Sequence, residues 1–134
     1  MLDTNICIYL MKHQASQVLH RLEALHQGEA VMSVVTLAEL RAGLEMQTAN
    51  RVHDEHVLSL LIRGIPVLAF DEAAAASYGV LRAAVRERNR DALDRLIAAH
   101  AVSVGAIVVT NNEADFRDYP GLVVENWVRP AQVS

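Results

Sequence analysis

Asp91-Ala92-Leu93-Asp94-Arg95-Leu96-Ile97-Ala98-Ala99-His100-Ala101, then Val102-Ser103-Val104-Gly105, then Ala106-Ile107-Val108-Val109-Thr110-Asn111-Asn112, is the stretch that decides the fold class. Leu93, Leu96, Ile97 and Val104 recur at helical spacing, and Gly105 stands where a helix C-cap belongs. A short apolar run follows with no polar alternation, as in a strand buried on both faces. Outward from it, similar runs at residues 1–2, 30–32, 66–70 and 122–124 read as further strands. Between them lie helical patterns: Val18, Leu22, Leu25; Leu37, Leu40, Leu44; Val57, Leu60, Leu61; Tyr78, Leu81, Val85. Asp71 sits at an expected N-cap, and Gly28 and Gly64 at expected C-caps. Strands alternating with helices predict an α/β domain with a mostly parallel sheet covered on both sides. Such sheets bind ligands at the carboxyl ends of their strands.

The chain of 134 residues, with 52% hydrophobic and 21% charged residues, predicts a single folded domain over 1–134 rather than a disordered segment. Cys7 is the only cysteine, which excludes an internal disulfide and a Cys-rich zinc site and fits a cytoplasmic location. No apolar run approaches the length of a membrane span, and Met1–Asn5 lacks the basic-then-apolar pattern of a signal peptide. The formal charge of −4 argues against a broad electrostatic grip on nucleic acid, and leaves room only for a local basic rim. No glycine-rich phosphate loop and no G-x-S-x-G elbow is present.

Four acids stand at the edges of these elements. Asp3 directly follows the first apolar run, where an N-cap would also be found. Asp115 lies just past the strand at 106–109, where turn residues gather. Glu39 in Thr36-Leu37-Ala38-Glu39 fits a capping box if Thr36 is the cap; it falls in the second turn if Ser33 is. Asp94 could complement the helix dipole, yet it shares its helix face with the small residues Ala98 and Ala101. Four acids so placed ask for a common cause. Two unit charges 4 Å apart repel by roughly 4 kcal/mol at an effective dielectric near 20, so a carboxylate cluster needs protons or cations. Oxygen donors alone suit Mg²⁺ or Mn²⁺ rather than zinc. By contrast, His53-Asp54-Glu55-His56 reads as a solvated helix face, His100 as a structural histidine and Cys7 as a small buried hydrophobe.

Leu2-Asp3-Thr4-Asn5 resembles the opening motif of the PIN domain, and residues 33–40, Ser-Val-Val-Thr-Leu-Ala-Glu-Leu, resemble its second motif. Residues 94–101, 107–112 and Asp115-Phe116 resemble its third and fourth, and the order and spacing resemble the VapC ribonuclease toxins of toxin–antitoxin modules. The resemblance implies a three-layer α/β/α PIN-like domain with a central mostly parallel sheet. It implies RNA cleavage dependent on Mg²⁺ or Mn²⁺, with Asp3, Glu39, Asp94 and Asp115 as the acidic quartet. Asp3, Asp94 and Asp115 would hold the metal, with Thr4, Asn5, Thr110 and Asn112 as supporting polar groups. It also implies transfer RNA as the substrate class, inhibition by a VapB-type antitoxin, and a toxin homodimer. The leucine stripes of residues 37–44 and 57–61 offer apolar area for such a dimer. Arg41, Arg82, Arg86, Arg88, Arg90 and Arg95 are the expected basic rim for RNA and antitoxin. Asp91-Ala92 stands where many relatives have Gly-Pro, so that Asp91 either alters metal binding or caps the helix. Asn112 replaces an acid found in some PIN nucleases, which bears on a second metal. The rival reading is a binding module, receiver-like or a catalytically silent PIN fold.

Overall fold

The computed structural model describes residues 1–14, 16–47, 49–86 and 91–128. The helices are α1 (Thr4–Met11), α2 (Ser16–Glu23), α3 (Val34–Met46), α4 (Arg51–Gly64), α5 (Glu72–Ala84) and α6 (Ala92–Val104). The strands are β1 (Met32–Ser33), β2 (Val67–Leu68), β3 (Val108–Val109) and β4 (Val124–Glu125), with a 3-10 turn at Glu113–Asp115. β1 pairs with β2 and β3 with β4, both in parallel. Leu2 joins the two pairs: it bridges Val109 in parallel, and its N–H donates to Val31 O at 2.9 Å. The sheet therefore runs β4, β3, Leu2, β1, β2, with the earliest strand segment at its centre.

Neighbouring strand residues face opposite cores, as the two-residue period requires. Leu2 and Val109 pack with Ile6, Val18, Leu40, Leu44 and Leu58; Met1 and Val108 pack with Leu81, Ile97, Ala98, Phe116 and Tyr119. These are the two outer layers of an α/β/α sandwich, with α1, α2 and α4 on one side and α5 with α6 on the other. Ala98, Ala99 and Ala101 are fully buried, so the small side chains of α6 let it lie close against its neighbours.

The caps follow the residue chemistry in most places. Asp71 Oδ1 accepts from Ala74 N at 3.0 Å, and Gly105 closes α6 at φ 68°, a left-handed conformation suited to glycine. Gly64 differs from expectation, being the last helical residue, with Ile65 in extended geometry as the cap. Gly28 lies beyond the end of α2 at φ 90°, in the turn that leads to β1. The leucine stripe of α3 also differs: Leu40 and Leu44 are spent in the core, leaving little of it for a dimer face. Among the described residues no helix is long and apolar enough to cross a membrane.

Candidate active site

Asp3 is 3% exposed at the carboxyl end of the central strand segment. Its Oδ1 accepts from Ile6 N at 2.9 Å and so caps α1, while its own N–H donates to Val109 O at 3.0 Å. Burial raises its pKa above the ordinary value, and the charges of Glu39 and Asp115 add to that; hydrogen bonds from Thr110 and the Ile6 backbone oppose it. Thr110, directly after β3, is fully buried, and its Oγ1 also accepts from Asn112 N at 2.9 Å.

Ser33 is the cap of α3, its hydroxyl accepting from Val35 N at 3.1 Å. Glu39 therefore lies in the second turn and is free of any capping duty. Its Oε1 accepts instead from Thr4 Oγ1 at 2.6 Å, and the same threonine approaches Thr36 Oγ1 at 3.5 Å. Thr36 is fully buried, a partner that its place in an apparent capping box concealed. Asn5 is exposed on the first turn of α1.

Asp91 caps α6, with its Oδ1 accepting from Leu93 N at 2.8 Å and Asp94 N at 3.3 Å. That settles its structural part: it is a helix cap, and its charge also reaches the site. The carboxyl of Asp94 is pushed up to about 7, first by burial and then by the charges of Asp91, Asp115, Asp3 and Glu39. Asp115 sits in the 3-10 turn after β3, and Asn112 Nδ2 donates to its Oδ2. The structure thus brings Asp3, Glu39, Asp94 and Asp115 into one electrostatic neighbourhood at the carboxyl ends of the strands.

An all-oxygen donor set under mutual repulsion fits a hard divalent cation. Among the described residues no three His, Cys, Asp or Glu side chains are gathered as a ready-made metal cage. Mg²⁺ is commonly held by only one or two carboxylates and keeps several waters, so the donors present still fit it.

The basic rim is thinner than expected. Arg95 is buried, its guanidinium hydrogen-bonded to Tyr119 and Tyr78, so it belongs to the interior behind α6. Arg41 is exposed and pairs with Glu55 at 3.1 Å. Arg86 Nε donates to Ala83 O at 3.1 Å, Arg82 is half-buried, and Arg88 and Arg90 lie outside the described residues. His53, Glu55 and His56 are exposed on α4, as a solvated face requires. Cys7 is buried and its thiol is pushed up to about 12 by that burial, so it is no nucleophile.

A feature that the sequence did not announce lies at the other end of α1 from Asp3. A groove of about 680 Å³ opens between α1, α2 and α4, lined by Leu10, Met11, Leu19, Leu22, Leu60 and Leu61 among others. Leu19 and Leu60 are about half exposed there.

The sequence pattern of the family described as PIN domain matches residues 1–122. A tRNA(fMet)-specific endonuclease VapC from Shigella flexneri is 40% identical over 129 residues, covering 95% of this chain and 96% of the relative. Ribonuclease VapC2 from Rickettsia felis is 31% identical over 130 residues, with 95% and 96% covered. Among solved structures, VapBC2 from Rickettsia felis bound to a DNA fragment from their promoter superposes with TM-score 0.87 at 30% identity, covering 95% of this chain and 97% of that one. VapBC-1 from nontypeable Haemophilus influenzae superposes with TM-score 0.85 at 32% identity, with 96% and 98% covered.

Proposed function

The chain belongs to the PIN domain family, among the VapC ribonuclease toxins, and from that premise we propose that it is a divalent-metal-dependent endoribonuclease whose working residues are Asp3, Glu39, Asp94 and Asp115. One observation carries the assignment. Acids from four separate stretches of chain share one partly buried electrostatic neighbourhood, with Asp94 raised to about 7 by burial and its acidic neighbours. A fold keeps such repulsion only where something offsets it.

Asp3 and Asp94 would hold the cation, with Asp115 completing the set. When bound, Mg²⁺ or Mn²⁺ supplies offsetting charge for the phosphoryl oxygens and lowers the pKa of an attacking water. Glu39 orients that water and accepts its proton at Oε2, since Oε1 already accepts from Thr4. Thr110 fixes Asp3 from the side and Asn112 fixes Asp115, so both carboxylates are held before substrate arrives. Asn5, exposed on the first turn of α1, serves as a supporting polar group. Transfer RNA is the substrate class, as the name of the Shigella relative indicates for that protein, and the protein acts in the cytoplasm.

A VapB-type antitoxin is the partner, and the apolar groove between α1, α2 and α4 is its seat. A helix with one apolar face fills such a groove, and relatives in this family are solved as VapBC complexes. The homodimer is also part of the proposal, though not through Leu40 and Leu44. A receiver-like module finds no support among the relatives, which are named as ribonucleases.

The deciding experiment is single-turnover cleavage of initiator and bulk transfer RNA by antitoxin-free protein. Mg²⁺, Mn²⁺ and excess chelator are compared, with Asp3→Asn beside wild type. Cleavage that needs the cation and falls at least a hundredfold in Asp3→Asn is expected, about the effect of losing a group that acts in a unit. Undiminished cleavage in chelator overturns the metal reading, and a well-folded wild type that cuts no RNA favours a silent PIN fold.

A further inference from the structure

His100 is 1% exposed in the middle of α6, among alanines, where nothing in the proposed chemistry uses it. It is nevertheless fully engaged. Its Nδ1 stands 2.7 Å from Ser33 Oγ, and its ring hydrogen-bonds the backbone of Ala69 just past β2. The ring of Phe70 meets it edge-on, with centroids 5.5 Å apart.

The proton positions follow from donor and acceptor chemistry. The Ala69 backbone favours the protonated ring, so the group involved is its carbonyl, an acceptor; with Nδ1 turned to Ser33, the hydrogen it takes belongs to Nε2. In the neutral ring Nδ1 is then an acceptor. Ser33 Oγ already accepts from Val35 N at 3.1 Å, and its own hydrogen is left to donate to Nδ1. The chain Val35 N–H to Ser33, Ser33 O–H to His100, His100 N–H to Ala69 satisfies every partner with one tautomer. Burial holds the imidazole below its ordinary pKa, with Asp71 the charge that opposes this, so the neutral form is the resident one.

Three elements meet in that relay. Ser33 caps α3, which carries Glu39; His100 belongs to α6, which carries Asp94; Ala69 directly follows β2. Glu39 on α3 and Asp94 on the first turn of α6 lie close enough for the charge of one to act on the other. We propose that His100 is a positioning residue: by tying the cap of α3 and the end of β2 to the middle of α6, it fixes how Glu39 is set relative to Asp94. The proposal rests on the ribonuclease reading above and adds a residue that neither touches RNA nor binds metal. A one-ångström misplacement of a reacting group can cost about a hundredfold in rate, so a clamp of this kind reaches the chemistry without touching it.

The test compares wild type, His100→Leu, His100→Asn and Ser33→Ala in RNA cleavage with saturating cation, with thermal unfolding alongside. In wild type, long-range nitrogen–proton NMR reads the His100 tautomer. His100→Leu should lose about ten- to a hundredfold in kcat with KM for RNA within about twofold. His100→Asn keeps an acceptor for Ser33 and should recover most of that loss. Ser33→Ala should cost a similar factor, and the double substitution Ser33→Ala with His100→Leu should be little worse than either. A purely structural histidine would show lowered unfolding temperature with unchanged kcat per folded molecule, or equal defects in His100→Asn and His100→Leu; either overturns the proposal. Should His100→Leu fail to fold, the tautomer decides, because a ring protonated at Nδ1 at neutral pH contradicts the relay. Wild type that cuts no RNA strikes the ribonuclease reading, whereas active wild type with equally active His100→Leu strikes the clamp alone.

Discussion

Thr4 Oγ1 donates to Glu39 Oε1 at 2.6 Å, joining the first residue of α1 to the second turn of α3. Because Thr4 follows Asp3 directly, the helix start that is fixed by one acid also fixes the next. Thr4→Val keeps the shape and removes the donor. It should lower kcat about tenfold and stability by roughly 1 kcal/mol, as for a partly exposed hydrogen bond to a charged group. Thr4→Ser should stay near wild type. Cleavage rates beside urea unfolding separate the two effects, and equal activity in Thr4→Val would deny the hydroxyl any part in placing Glu39.

Asp3 caps α1 and is the proposed ligand of the cation, and different substitutions should divide the two. Asn is as good an N-cap as Asp, so Asp3→Asn should fold normally while losing cleavage; Asp3→Ala should lose cleavage and about 1 kcal/mol of stability as well. If the acids act as a unit, as proposed, adding Asp94→Asn to Asp3→Asn should reduce activity little further. Circular dichroism melts with matched activity assays show whether the losses separate in this way.

Asp94 makes the metal-free protein sensitive to pH in an unusual direction. Its folded pKa is raised from 3.8 to about 7, so between those values the folded state binds more protons than the unfolded chain. Stability contributed by the protonated carboxyl is therefore full below about pH 4 and is lost as pH rises through 7. Asp94→Asn should melt higher than wild type at pH 8, by roughly 2 kcal/mol after discounting for partial solvent screening, and the gap should close near pH 4. A constant gap across that range would point to packing rather than to charge.

Asp91 acts on the same group with two opposite signs. It caps α6 through Leu93 N and Asp94 N, and its charge adds to the pressure on Asp94. Asp91→Asn keeps the cap and removes the charge, so it should be neutral or slightly stabilising above pH 7. Asp91→Ala should cost about 1 kcal/mol. Reversed order in chemical denaturation would show that the cap matters less than its geometry implies.

The apolar groove and the acidic site should be separable by mutation. Leu19→Asp and Leu60→Glu, both at half-exposed positions, should leave the fold and RNA cleavage intact. They should weaken binding of the cognate antitoxin at least a hundredfold, the scale of losing buried anchors at an interface. Titration of cleavage with antitoxin reads this directly. Unchanged inhibition would move the antitoxin's seat elsewhere.

The layers of the fold were legible because they rest on local chemistry. Four of the five apolar runs proposed as strands became strands, shortened or shifted, since hydrogen bonding trims what hydrophobicity suggests; the first, residues 1–2, contributes a single bridge at Leu2. Asp71 and Gly105 were readable as caps for the same local reason. Gly64 was not, because a glycine can end a helix from inside as well as from beyond it. The acids were readable as candidates, but only the strand order brings residues 3, 39, 94 and 115 together. Arg95 misled: a charge beside an acid reads as solvent-facing, whereas Tyr78 and Tyr119 from distant parts of the chain provide it with a buried place. The relay through Ser33, His100 and Ala69 was beyond reach, as three ordinary residues carry no periodicity or spacing that marks them.

Leu2 is hydrogen-bonded on one side to Val31 and paired on the other with Val109, residues that are synthesised 29 and 107 positions after it. A growing polypeptide on the ribosome must hold its middle strand in reserve until both neighbours have emerged. Asp3 waits with it, and Asp115 appears later still. The proposed site is therefore complete only after residue 115 has cleared the exit tunnel, later than the strand that anchors its first acid.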